Sequence, residues 1–249
     1  MIDINHTQVF GWGAAIRGMR NPMNSWKKSD SYRSRGMLID EDEYEMPGFY
    51  IGPNDHDLMM RLVKAGDEHA KFMRMIHVSM DILAPLYWWK QADTYKVGFI
   101  TNSCSTMHKI QAKEFVLEDF SHEHLNVHSI ASLNKVISRM NDFRNIYLHG
   151  GRTYDEDGEW TTFEPKSKYI WWQLIQLLSD SYNQLRTYDT NYATLRKMYH
   201  QRKGHKLDEW NDFRAWVETL PYSELIMGNP TRKRDTVADA LEEYMTKKG

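Results

Sequence analysis

Two stretches of the chain gather side chains suited to holding a ligand. The first, Ala84 to Lys109, reads Ala-Pro-Leu-Tyr-Trp-Trp-Lys-Gln-Ala-Asp-Thr-Tyr-Lys-Val-Gly-Phe-Ile-Thr-Asn-Ser-Cys-Ser-Thr-Met-His-Lys. It pairs the aromatic surface of Tyr87, Trp88, Trp89 and Tyr95 with two cations, Lys90 and Lys96, and then runs through small hydroxyl and amide residues from Thr101 to Thr106. Hydroxyls and backbone N–H groups bind phosphate oxygens, and lysine adds a point charge. These residue types suit a nucleotide-like ligand; they also suit a core helix that runs into a polar loop. The second stretch is Asn191 to Arg202. On a helix these two residues fall within about 20° of each other and roughly 16 Å apart along the axis, with Leu195 and Met198 beside them. Polar groups on an apolar stripe cost free energy unless each finds a partner. The partner is either a long ligand (or two ligands side by side), or a carboxylate in the core that pairs with Arg202.

Three weaker candidates accompany these. His122, Glu123, His124 and His128 have the residue types of a metal cluster, with His124 and His128 four apart on one helix face. The same residues also fit a helix start in which Ser121 is the N-cap. Cys104 is a possible nucleophile if a histidine lies beside it, and otherwise a small residue in a polar loop. Arg232-Lys233-Arg234 reads as a solvated surface patch.

The elements that would position these groups follow from periodicity. Leu58, Met59, Leu62, Val63 and Ala70 recur at helical spacing from Asp55 to about Arg74. Ile76, Val78, Met80 and Ile82 then alternate with polar residues, as in a half-buried strand. Pro85 opens a helix from Leu86 to about Gln91. A helix is expected from Leu125 to Tyr147, with Ile130, Leu133, Val136, Ile137 and Met140 on one face. A hairpin or loop follows through Gly150-Gly151 and Asp155 to Gly158. Further helices are expected at Lys166–Arg186, Asn191–Gln201 and Asp208–Thr219, and a short amphipathic segment at Val237 to Met245. The first fifty residues are turn-rich. The expected class is α+β, helix-rich, with a small sheet, as a single domain over residues 1–249, since no Pro/Gly/Ser linker divides the chain.

Composition narrows the partners. In 249 residues, 32 Lys and Arg stand against 34 Asp and Glu, a net charge of −2, which argues against a polybasic arm for a nucleic-acid polymer. No run of about 18 apolar residues suggests a membrane span. One cysteine excludes a disulfide framework, and the N-terminus lacks the pattern of a signal peptide, so a cytoplasmic location is expected. Aromatic residues make up 13%, including 9 Trp and 14 Tyr, and ask for an explanation.

The stretches Glu68-His69-Ala70, Ala84-Pro85 to Gln91, Lys96 to Ser105, and Asn191 to Trp210 together resemble flavin-dependent thymidylate synthases. Lys90-Gln91 stands where that family has Arg-Gln, and Thr94-Tyr95-Lys96 where it has Arg-His-Arg. Asn102-Ser103-Cys104-Ser105-Thr106-Met107 stands where the family has Asn-Glu-x-Ser-x-Arg. Asn191, Leu195, Arg202 and Trp210 follow its C-terminal pattern. Two signature charges are replaced, at Thr94 and Tyr95; Ser103 stands for the acidic residue and Met107 for the phosphate-binding arginine. The resemblance implies a homotetramer with FAD at subunit junctions, reduction of the flavin by NADPH, and one-carbon transfer from methylenetetrahydrofolate to dUMP or a related pyrimidine nucleotide. By the same resemblance Gln91, Ser105 and Arg202 would face the nucleotide. Glu68, His69, Lys96, Asn102 and Asn191 would face the flavin. Tyr95 is a candidate to stack on a flat ring. The alternative, given the eroded motif, is an inactive homologue that binds a nucleotide or acts as an oligomeric interaction protein.

Overall fold

The computed structural model describes residues 1–33, 38–40, 43–44, 48–95 and 97–228. Lys96, the Arg232–Arg234 triplet and the amphipathic segment at 237–245 lie outside the described residues. Strand β1 (Asp3–Phe10) leads into helix α1 (Trp12–Arg20), whose Trp12, Ala15, Ile16 and Met19 form one buried stripe. Four short strands follow: β2 (Tyr32–Arg33), β3 (Leu38–Asp40), β4 (Glu43–Tyr44) and β5 (Phe49–Tyr50). β2 pairs with β5 and β3 with β4, both antiparallel. The turn-rich opening expected from sequence therefore contains a full strand and a helix.

Helix α2 (Pro53–Ala65) starts on a proline, whose fixed φ and missing N–H suit a first turn. Its Asp55 takes the Nε–H of Arg20 on Oδ1 at 2.5 Å, and both side chains are buried. Burial pushes this carboxyl up, but the hydrogen bonds from Ser29, Ser31 and Arg20 outweigh it and hold the group below its ordinary range. The helix is shorter than expected. Gly66 follows with φ +110°, outside helical space, and only a 3-10 turn occupies Lys71–Met75.

Strand β6 (His77–Pro85) keeps the alternation read from sequence, with Val78, Met80, Ile82 and Ala84 buried. Pro85 caps α3 (Leu86–Ala92), and β7 (Ile100–Ser103) and the short α4 (Thr106–Lys109) follow. Helix α5 (Val127–His149) is capped by Asn126, whose Oδ1 accepts from the N–H groups of His128 and Ser129 at 3.0 Å. Ser121, the expected cap, is instead buried and accepts a hydrogen bond from the N-terminal ammonium at 3.1 Å. β8 (Gly151–Tyr154) and β9 (Trp160–Phe163) form the expected antiparallel hairpin.

Helix α6 (Lys168–Leu177) stops half-way through its expected span, and residues 183 onward form β10 (Asn183–Asn191). The break falls at Ser179-Asp180-Ser181, where the Ser179 hydroxyl accepts from the Ser181 N–H at 3.2 Å. Such side-chain bonds compete with a continuing helix. The chain continues with α7 (Tyr192–Gln201), α8 (Asp208–Thr219) and α9 (Glu224–Met227). The larger sheet has the order β1-β6-β10-β7.

The chain divides into two compact units built from six alternating segments. One comprises Met1–Asp3, Ile82–Thr94 and Asn102–Thr187; the other comprises Ile4–Asp81, Tyr95–Thr101 and Tyr188–Gly249. In the first unit, α5 and α6 close over Phe115, Phe120, Ile137, Met140, Phe143, Ile170 and Leu174. In the second, Met59, Ile76, Val78, Tyr192, Leu195, Met198, Trp210 and Phe213 are fully buried. Each such side chain contributes about 1.5–3 kcal/mol on burial, so both units have apolar interiors of their own. Among the described residues, no helix is long and apolar enough to cross a membrane.

Candidate functional site

The strongest cluster lies in the second unit, at the two ends of α7. Asn191 has extended backbone and caps the helix, its Oδ1 accepting from the Thr194 N–H at 3.0 Å. Its Nδ2 donates to the Gly98 carbonyl at 3.2 Å, and the Thr190 hydroxyl donates to the same oxygen at 3.1 Å. The Thr194 hydroxyl reaches the Val97 carbonyl at 3.3 Å. Gly98 has φ +93°, and a Cβ there would sit 2.7 Å from the Thr194 hydroxyl. Only glycine lets the 97–98 backbone lie against the helix start. The polar end of α7 thus clasps the loop that follows Tyr95.

At the other end Arg202 closes the helix, its N–H donating to the Met198 carbonyl at 3.0 Å. The Arg202 Nε–H donates to the Tyr95 hydroxyl at 2.9 Å. Its guanidinium carbon lies 4.5 Å from the Trp210 ring centroid and 5.3 Å from that of Tyr95. Trp210 is fully buried and meets Tyr95 edge to face with centroids 6.3 Å apart. A guanidinium over aromatic faces gains about 0.5–2 kcal/mol, more as water is excluded. Tyr95 and Trp210 give Arg202 an aromatic bed. His205 completes the cluster, with its ring 6.2 Å from Trp210 and its Nδ1 accepting from the Leu207 N–H at 3.1 Å. Burial, and then the nearby Arg202 charge, lower the pKa of this imidazole.

A second arginine cluster occupies the other unit. Arg186, on β10, lies over Trp89 with its guanidinium carbon 4.3 Å from the ring centroid. Its Nη1 donates to both Asp93 oxygens, at 2.9 and 3.2 Å, and its Nε to the Gln184 side-chain oxygen at 3.0 Å. Gln184 in turn donates to the Cys104 carbonyl at 2.8 Å, and Trp89 donates to the Gln184 carbonyl at 3.0 Å. Sequence reading did not select Arg186, Gln184 or Asp93. Gln184 and Arg186 lie on β10, in a stretch where a helix was expected, and Asp93 follows α3.

The remaining predicted residues sit as follows. Gln91 is half-buried on α3, and the adjacent Lys90 pairs with Asp180 at 2.5 Å. Ser105 caps α4, its hydroxyl accepting from the His108 N–H at 3.1 Å. Asn102 is exposed on β7, and Cys104 is a free, exposed thiol. These four elements of the prediction belong to the first unit. Glu68 and His69 are exposed in the turn after α2, with Glu68 pairing Lys71 at 3.1 Å. Arg202, carried over from the resemblance, is brought into contact with Tyr95, the candidate for ring stacking. His122 binds the Phe120 carbonyl through Nδ1 at 2.7 Å, and among the described residues no group of three His, Cys, Asp or Glu could hold a metal ion.

No protein-family model matches this chain, and neither does any curated protein sequence. Solved structures do. A crystal structure of flavin dependent thymidylate synthase ThyX from Helicobacter pylori, complexed with FAD and dUMP, is similar with a TM-score of 0.55 and 13% identity. The match covers 90% of this chain and 96% of that one. A second structure of the same enzyme with FAD and dUMP gives a TM-score of 0.59 at 13% identity, over 94% of this chain and 100% of that one. At this identity the likeness is one of fold: helices around a small antiparallel sheet, shared along nearly the whole chain.

Proposed function

We propose that this chain is a flavin-dependent protein of the thymidylate synthase type, transferring a one-carbon unit to dUMP or a related pyrimidine nucleotide. The observation that carries this reading is the end-to-end fold likeness to two proteins whose structures hold FAD and dUMP. Arg202 supports it. The residue that the resemblance assigns to the nucleotide is held in a defined pose by Tyr95 and Trp210, and pre-organisation lowers the entropy lost on binding.

The residues expected to face the flavin fit the cofactor in part. Glu68, His69 and Asn102 are exposed and available to a group that arrives from outside the chain. Asn191 and Tyr95 fit less well, since their polar atoms already bind Gly98, Thr194 and Arg202. Bound FAD, reduced by NADPH, would supply the reducing equivalents that convert the methylenetetrahydrofolate carbon to a methyl group. The protein's own part would be to bind and orient: Arg202 would take a nucleotide anion, and Gln91 would meet the base or sugar. In this reading the protein is cytoplasmic, assembles as a homotetramer, and acts as a single domain over residues 1–249. The interleaving of the two units along the chain supports that last point.

A second reading is an inactive homologue that binds a nucleotide or serves as an oligomeric interaction protein. It is favoured by Thr94 and Met107 at signature positions and by the use of Ser105 and Asn191 as helix caps. Purified protein with flavin absorbance, a melting temperature raised by FAD and by dUMP, and NADPH oxidation that depends on both would establish the first reading. A colourless protein that neither FAD nor dUMP stabilises would reject it. Within the first reading, Arg202→Ala should weaken dUMP binding by roughly tenfold or more, as loss of a charge-assisted bond implies. Arg17→Ala, on an exposed face of α1, should leave that binding unchanged.

A further inference from the structure

In the first unit a cavity of about 420 Å³ is lined by Met107 and His108 of α4, Tyr147 of α5, and Lys166, Lys168 and Trp171 at the start of α6. Its volume lies within the range of small-molecule sites, roughly 300–1,000 Å³. The lining combines two ring faces with two ammonium groups and an imidazole. The indole of Trp171 is fixed by donating to the Met107 carbonyl at 3.1 Å. Lys166 is pinned by its backbone, with φ +63° and its N–H donating to the Tyr147 carbonyl at 2.7 Å. Among the described residues, the Lys166 and Lys168 ammonium groups and the His108 ring have no hydrogen-bond or ion-pair partner. Two lysines bring positive charge to this cavity, while the carboxylates of Asp155, Glu156 and Asp157 act on the neighbouring Tyr169.

We propose that this cavity binds a small aromatic phosphate, its ring against Trp171 and Tyr147 and its phosphate between Lys166, Lys168 and His108. Ring faces favour a flat partner, and lysine holds phosphate as a point charge. Gln91, Ser105 and Arg202 do not line the cavity; it borders the segment of the flavin reading at Met107, which stands where the family has its phosphate-binding arginine.

Phenyl phosphate is the probe, with NMR of methyl-labelled methionine and of the indole N–H groups as the readout. Met107 and Trp171 are assigned through Met107→Leu and Trp171→Phe. Phenyl phosphate should shift both resonances saturably, and phenol or inorganic phosphate alone should bind roughly tenfold more weakly or worse. The double variant Lys166→Ala/Lys168→Ala should weaken phenyl phosphate by a similar factor, while Gln91→Ala and Arg202→Ala leave it unchanged. If the double variant does not fold, wild-type protein titrated at rising salt should bind phenyl phosphate progressively more weakly. Equal affinity for phenol or for inorganic phosphate, an unaffected double variant, or binding indifferent to salt would overturn the proposal. None of these measurements reads flavin or dUMP, so their failure and that of the flavin reading are separable.

Discussion

Arg186 and Arg202 are the same side chain set over the same kind of ring, yet they are held in different ways. Over Trp89, Arg186 meets the Asp93 carboxylate through two bonds and Gln184 through a third. Over Trp210, Arg202 uses its Nε–H on the neutral Tyr95 hydroxyl, with the Tyr95 ring as a second face. The first arrangement neutralises the cation inside the fold and ties α3 to β10. The second fixes the plane of the cation between two aromatic rings and a hydroxyl. A carboxylate ties Arg186 to its own helix and strand, whereas rings seat Arg202; the first cluster is scaffold, and the second is the one to which the proposed function assigns the nucleotide.

The largest expected effect removes what the two clusters share. Trp89→Ala and Trp210→Ala each truncate a fully buried side chain, at a cost of about 3–5 kcal/mol. Urea denaturation should give losses of that size at both positions. A loss under about 1 kcal/mol at either would mean that its ring is not the platform described.

Next comes the feature that separates the clusters. Asp93→Ala strips the carboxylate from Arg186, which is only 13% exposed while Asp93 itself is 43% exposed. Breaking a charge-assisted pair costs about 1.5–3 kcal/mol, and the exposure of Asp93 puts the expected loss toward the low end. Tyr95→Phe deletes one bond to a neutral acceptor and keeps both ring faces, for about 0.5–1.5 kcal/mol. The order of the two losses is the test. A Tyr95→Phe loss exceeding that of Asp93→Ala would invert the contrast between an arginine tied by a carboxylate and one seated on rings.

Much of the scaffold could be read from residue order, and the reason is local. Trp210, Phe213 and Val217 recur at helical spacing, and α8 has the bounds that this pattern implies. Asn191 is a cap with helical spacing behind it, and α7 begins beside it. Strand β1 escaped because only two of its eight residues are even half-buried, as is usual for a strand that shows most of its surface to water. The end of α6 escaped because Ile170 to Leu178 keeps a helical period up to the serine-rich break. The candidate site was legible residue by residue but not as a whole. Tyr95, Arg202 and Trp210 each stood out by type, yet Tyr95 and Arg202 are separated by 107 positions, and no spacing rule reports a contact of that range. Arg186 was lost with β10, since a residue on the wrong element is assigned the wrong neighbours.

The smallest expected effect asks whether the Arg202 cluster feels its own charge. The pKa of His205 is lowered by burial and then by Arg202, so below the ordinary histidine value the unfolded chain takes up a proton more readily than the folded one. Stability is then fully present above about pH 6.5 and falls as the pH drops through the lowered folded value. His200 is shifted in the same direction, by burial and by Arg196, and contributes to the same fall. The difference between wild type and His205→Gln isolates the first group. Between pH 7.5 and pH 5.5 the variant should lose less melting temperature than the wild type, by a margin smaller than any of the losses above. Adding Arg202→Met to His205→Gln should then change the acid slope little, whereas Arg202→Met alone should flatten it toward that of the variant. Equal slopes for wild type and both single variants would mean that the guanidinium over Trp210 does not act on the imidazole beside it.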